Sequence, residues 1–245
     1  MAQERNDADK AVIAGEAPPS ARVSLSRDRI LQAAVEFIDE EGLLGLTMRK
    51  LGERLEVEAM SLYRYVDGRE ELLDGVVTRV VDQMYHDDEV IAAPQDGWQD
   101  FLQRLAHGIR RIALAHPKAF PLVASRPAEA PWLRPPLRSI EWVEMFLEGL
   151  AQEGFDDDSA VGAYRAFTSF LLGHLLLEVA VQGADVGPLD VIEEETEPEH
   201  NELAQYPSVR RLKSALSEDH SAAEFEESLE DLLNRIAVMV STKTR

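Results

Sequence analysis

The 245-residue chain has no cysteine, which excludes disulfides, thiolate nucleophiles and cysteine-ligated zinc together and suits a reducing compartment. It also lacks a long apolar run. The most continuous one, residues 170–177, is interrupted by Gly173 and His174 and stops at Glu178, far short of the ~20 residues that span a bilayer. No apolar stretch follows the charged opening MAQERNDADK, so no secretory signal is expected, and the expectation is a cytoplasmic protein without a membrane partner. Glycine (14) and proline (12) are scarce inside the periodic segments, and strand-like alternation is nowhere sustained, which points to an all-α fold. Three enzyme signatures are missing: the phosphate-cradling GxxxxGK, the zinc-binding HExxH and the nucleophile elbow GxSxG.

Cations are few. Lys and Arg number 25 against 46 Asp and Glu, a net charge of −21, which argues against a protein that coats nucleic acid by bulk electrostatics. The acids are unevenly spread. Residues 184–204 hold eight of them and no Lys or Arg, and read as a solvated acidic loop. Residues 47–66 hold Arg49, Lys50, Arg54 and Arg64 against Glu53, Glu56 and Glu58, a local balance of +1, and residues 20–30 reach +2. Binding to DNA is therefore compatible with the charge only through a small local surface.

What is present is a series of amphipathic, capped helices. In the first, expected over Arg27–Glu41, Ile30, Ala34, Phe37 and Ile38 form one apolar stripe; Ser26 is placed to cap its start, and Gly42 to end it in the left-handed αL conformation. Thr47 is placed to cap a second helix over Met48–Leu55, followed by a break at Glu56 and Val57, which puts Glu56 in αL. A short third helix is expected over 59–65, then a fourth over 68–85 with Asp67 and Glu70 as a capping box. After a polar joint at 87–97, longer helices are expected over about 98–115, 136–154 and 158–182, then a short one near 208–216 and a long one near 222–240. The domain expectation is a disordered arm at 1–23, a head at 24–85 and a helical domain at 86–245 that contains the acidic loop.

Residues 47–66 have the form of a helix-turn-helix. Such a pair needs short helices, a tight turn, an apolar back and a small or polar front, because the second helix must enter a major groove about 12 Å wide while the first crosses the backbone. Leu51, Leu55, Val57, Leu62 and Val66 supply the back, and Ala59, Met60, Ser61, Tyr63, Arg64 and Tyr65 the front. For Tyr63 and Tyr65 packing against the first helix is the plain alternative, and for Arg49 and Arg64 a solvated surface.

The stretch LSRDRILQAAVEFIDEEGLLGLTMRKLGERLEVEAMSLYRYVDGREELLDGV resembles the N-terminal domain of the tetracycline-repressor (TetR) family. Its alanine-bearing first helix, EEG turn, GLTMRKLGERL, SLYRYV and ELLDGV fall in register together. The resemblance covers about a quarter of the chain; beyond it the likeness is in outline, with a Trp near the start, the pair His116–Pro117 and long terminal helices. It implies a homodimeric repressor that leaves operator DNA when a small molecule enters the C-terminal domain, with no catalytic activity and no cofactor. By position it places Arg49 and Lys50 at the start of the backbone-crossing helix, with Arg49 also within reach of a base edge. Ala59, Met60 and Ser61 fall where bases are read, Tyr63 and Tyr65 where hydroxyls meet phosphate, and Arg69 at a phosphate-holding helix start. Glu56 departs from the family's usual glycine.

In the second domain Trp98, His107, Arg111, Trp142, Tyr164 and His174 are the candidate effector contacts, since ligand sites are mostly apolar with a few placed polar groups. His174 and Glu178, at i and i+4, have metal-ligand spacing but no third ligand, so a satisfied histidine beside a carboxylate is the expected reading. Leu171, Leu175, Leu229, Leu232 and Ile236 are expected at a four-helix dimer interface. The alternatives are an enzyme with a helical catalytic domain and a protein-interaction module, each with an incidental helix-turn-helix.

Overall fold

The computed structural model describes residues 24–85, 90, 94, 96–125, 140–185 and 205–243. The expected arm, most of the joint at 87–97 and the acidic loop beyond Asp185 lie outside them. Every regular element among the described residues is helical, as the sequence implies.

Helix α1, Arg27–Glu41, starts where Ser26 Oγ accepts the Arg29 N–H and presents Ile30, Ala34, Phe37 and Ile38 to the core. It ends at Gly42, whose φ of 85° is positive as expected but whose ψ of 161° lies outside αL. That region is open essentially to glycine alone, and it sends the chain into a single 3₁₀ turn at Leu43–Gly45. Thr47 then caps α2, Met48–Leu55, by accepting the Lys50 N–H.

Helix α3 is shorter than its pattern suggests. It spans Ala59–Leu62, because the Tyr65 and Val66 N–H groups both close onto the Leu62 carbonyl and tighten residues 63–65 into a turn. Helix α4, Arg69–Tyr85, begins one residue later than expected. The side chain that accepts the Asp67 N–H, at 2.5 Å, is that of Glu71.

Six further helices have both ends among the described residues: α5 Trp98–Ala115, α6 Phe120–Ser125, α7 Ile140–Gln152, α8 Asp157–Val181, α9 Pro207–Leu216 and α10 Ser221–Lys243. Helix α6 falls between the segments expected as helices over about 98–115 and 136–154, where prolines at 117, 121, 127, 131, 135 and 136 punctuate the chain; Pro121 stands at its second position, where the missing N–H costs nothing. The part of the expected 136–154 helix before Ile140 lies outside the described residues.

Helix α4 packs on α1, α5 and α6, so it belongs to the head and to the second bundle at once. In that bundle α8 is the central rod, against α5, α7 and α10. By length and composition α8 would pass for a membrane span. Its Leu171, Leu175 and Val179 are instead buried in the core of the bundle.

Candidate DNA interface and effector domain

The head is built from its turn outward. Leu51, Leu55, Leu62 and Val66 are buried, with Val57 packed at the edge of the same core. Between α2 and α3 the Val57 N–H bonds to the Gly52 carbonyl at 2.9 Å and the Glu56 N–H to the Glu53 carbonyl at 3.2 Å, the paired bonds of a Schellman cap. Glu56 is the C′ residue of that cap, at φ 57° and ψ 39°, and among the described residues it alone has a positive φ without being glycine. The αL conformation expected of it is there. Gly52 is where α3 approaches α2: a Cβ on it would lie 2.9 Å from the Val57 carbonyl oxygen and 3.2 Å from the Ala59 nitrogen.

The outer face carries the expected front. Met60 is 75% exposed, two positions from the buried Leu62 and so on nearly the opposite side of the helix. Tyr63 and Tyr65 keep 43% and 37% of their surface in solvent, which disfavours packing on α1 as their whole role. Ala59 and Ser61 are half-buried and Arg64 is exposed. The Arg49 side chain is 83% exposed, with Glu53 one turn on at 3.4 Å, a pair too exposed to hold it. Lys50 lies 3.6 Å from Glu41 and 5.7 Å from the centre of the Phe37 ring. Arg69 donates to the Leu43 carbonyl at 3.3 Å, which ties the start of α4 to the 3₁₀ turn.

Not every cation of the head faces outward. Arg54 forms a two-pronged bond with Glu40, at 2.6 and 2.7 Å, with Glu36 at 3.7 Å. The hydrogen bond from Arg54 holds the Glu40 carboxyl below the usual carboxylate range. Arg54 therefore braces α2 against α1 and is not one of the residues on the DNA side. On the other flank Arg79 binds Asp28 and, at 2.8 Å, Gln32, and Arg27 lies 3.5 Å from Glu71, so α4 is tied to α1 by polar bonds as well as by its core.

In the second bundle the six candidate effector residues are not gathered into one place. Trp98 meets Phe155 edge-on at 5.4 Å, Trp142 is buried, and Tyr164 is buried edge-on to Phe146 at 5.8 Å. Burial pushes the Tyr164 phenol up to about 12, against a lowering hydrogen bond with Thr168, so it is a neutral group at any ordinary pH. His107 and His174 flank the Phe225 ring at 5.7 and 5.3 Å, and Arg111 is exposed. A cavity of about 160 Å³ lies among Glu41, Leu43, Lys118 and Asp185, and an open groove of about 640 Å³ runs between α8 and α10; none of the six lines either.

His174 and Glu178 do not converge. The His174 Nε2 faces the Ser221 carbonyl at 3.3 Å, while Glu178, 4% exposed, takes Arg110 on both oxygens at 3.0 and 2.5 Å. Arg110 in turn lies 5.1 Å from the centre of the Phe225 ring, and the bond to Glu178 raises its pKa. This knot joins α5, α8 and α10; the i, i+4 spacing hinted at Glu178, but nothing in the sequence pointed to Arg110.

The expected dimer leucines require a correction. Leu171, Leu175, Leu229, Leu232 and Ile236 are buried within the single chain, where α8 packs on α10. Helices that serve a core and an interface carry two apolar seams, and the richer seam here faces its own bundle. The open groove next to it is lined by Gly162, Arg165, Ala166, Asp231, Arg235 and Met239, and of the five expected residues Leu232 also reaches it.

Comparison with known proteins places both halves in one family. The description "Bacterial regulatory proteins, tetR family" matches residues 30–76, and "Tetracyclin repressor-like, C-terminal domain" matches residues 92–240. The chain is 29% identical over 154 residues to an "HTH-type transcriptional regulator" of Saccharopolyspora erythraea, covering 63% of this chain and 61% of that protein. It is 30% identical over 153 residues to the class D tetracycline repressor protein of Escherichia coli, covering 62% of this chain and 66% of that one. The match thus spans less than two thirds of either relative. A possible TetR family transcriptional regulator from Streptomyces coelicolor A3(2) superposes with a TM-score of 0.67 at 28% identity, over 87% of this chain and 100% of that one.

Proposed function

Because the chain belongs to the tetracycline-repressor family, we propose that it is an operator-binding transcriptional repressor, released from DNA when a small molecule enters its helical domain. The observation that carries this is the two-sided head: Leu51, Leu62 and Val66 are sealed in its core while Arg49 on α2 and Met60, Tyr63 and Arg64 on α3 and its following turn stand exposed. Phosphate contacts from Arg49, Lys50, Tyr63, Tyr65 and Arg69 fix the register, and Ala59, Met60 and Ser61 meet base edges. The small footprint accounts for DNA binding by a chain whose net charge is −21. A gel-shift on the DNA upstream of its own gene, at several salt concentrations, tests the reading: a specific complex at physiological salt is expected, and its absence contradicts it.

Two heads on a two-fold site require a two-fold dimer. The groove between α8 and α10 suits that role, since Gly162 and Ala166 permit close approach and Arg165, Arg235 and Asp231 give the face both signs of charge. Sedimentation at micromolar concentration should show two chains per particle. The effector is taken by the domain after the head, with Trp98, His107, Arg111, Trp142, Tyr164 and His174 as candidate contacts. The protein acts in the cytoplasm, without catalysis or a resident cofactor; no observation favours the enzyme or protein-interaction readings.

A further inference from the structure

The end of α1 is gripped by the turn between α5 and α6. Asp39 and His116 meet there, their side chains 19% and 18% exposed, with Asp39 Oδ2 2.7 Å from His116 Nδ1. The other carboxylate oxygen, Oδ1, accepts the Ala119 N–H at 3.2 Å. On the far side of the ring the Gln83 amide of α4 lies 2.9 Å from His116 Nε2. The Asp39 carboxylate accepts from Nδ1–H, and the Gln83 amide meets Nε2 with its nitrogen at 2.9 Å and its oxygen at 3.1 Å, so it pairs with that ring nitrogen in either role. Two residues beyond His116, Lys118 donates at 2.9 Å to the carbonyl of Glu40, one residue beyond Asp39.

These bonds join three parts: the first helix of the head, the helix shared by head and bundle, and the turn between α5 and α6. His116 is fixed from its own side as well. Its N–H bonds to the Ile112 carbonyl, and its carbonyl accepts the Ala119 and Phe120 N–H groups, so the ring projects from a rigid corner. Apolar packing alone leaves rotation and sliding soft, because it is non-directional, and the polar bonds that tie α1 to α4 through Arg79 and Arg27 do not reach the turn between α5 and α6. Hydrogen bonds to a half-buried carboxylate and imidazole define one angle.

We infer that Asp39, His116 and Gln83 are positioning residues that set the orientation of the reading head on the bundle, and through it the half-site spacing the dimer accepts. The inference rests on the operator-binding reading. One base pair added between half-sites moves them apart by about 3.4 Å and turns one against the other by about 35°. A head held at one angle resists that change, and a head on a slack joint follows it.

The test uses the full chain and duplexes enriched by it from random DNA. The affinity for the enriched spacing is compared with that for the same half-sites one base pair further apart and one closer. The wild-type protein should prefer its own spacing roughly tenfold. His116→Phe, which keeps a ring without its nitrogens, and Asp39→Ala should bring the three duplexes within about threefold. If His116→Phe no longer melts cooperatively, Gln83→Leu gives the same reading from a half-buried position. Folded variants that bind and still discriminate as the wild type does overturn the positioning role alone. Failure of the wild type to enrich any duplex overturns it together with the operator reading.

Discussion

At Glu56 a single side chain sets two costs against each other. In αL its Cβ crowds the following carbonyl, which glycine avoids, and its carboxylate sits at the negative end of α2. Glu56→Gly should therefore stabilise the protein by roughly 0.5 to 1 kcal/mol, read as a rise in melting temperature of a few degrees. Glu56→Gln removes the charge and keeps the Cβ, so it should give the smaller gain. A loss of stability in Glu56→Gly would show that the strain of this turn is relieved elsewhere.

Glu178 is the opposite case, a buried carboxylate compensated by its two-pronged pairing with Arg110. Removing Arg110 leaves that charge unmatched in the core, so Arg110→Met should cost about 3 to 5 kcal/mol, and Arg110→Met with Glu178→Leu should recover most of it. Chemical denaturation of the two variants decides the matter. If the double variant is no more stable than the single one, the pair is held by its surroundings and not by mutual need.

Among the elements, the junction of α2 with α3 has the least room. A Cβ at Gly52 would press on backbone, which cannot move aside as a side-chain tip does. Gly52→Ala should cost about 1 to 3 kcal/mol and weaken DNA binding further by changing the angle of α3, as checked by melting and by titration of a labelled duplex. Helix boundaries in this region were legible because their causes are local: Ser26 and Thr47 cap within three residues, and Gly42 and Glu56 end helices by their own φ. Where the sequence misled, a second local choice was available. Glu70 and Glu71 both lie within reach of the α4 start, and Pro121 reads as a break although the first turn of a helix admits it.

At the scale of the whole molecule the front of the head was legible, because alternation between a buried back and an exposed face is written in the spacing of Leu51, Leu55, Leu62 and Val66. Pairings between distant parts were not. No pattern in sequence announces that Asp39 meets His116 or that Arg110 meets Glu178, and the leucines of α8 and α10 look alike whether they face their own bundle or a partner. The effector domain shows the same limit, with six plausible residues spread over separate parts of the bundle.

The function proposed for the molecule stands on Arg49 and Tyr63 facing DNA and not the core, and the salt dependence of binding decides whether they do. The association constant for the enriched duplex is followed against salt for the wild type, Arg49→Ala and Tyr63→Phe, with melting recorded in parallel. Melting should be unchanged and binding weaker in both variants. The log-log salt slope for Arg49→Ala should be shallower by about 0.9 for each phosphate that is no longer neutralised, roughly two units for the symmetric pair of heads. Wild-type affinity and slope in both variants would contradict the placement of the DNA interface on this face.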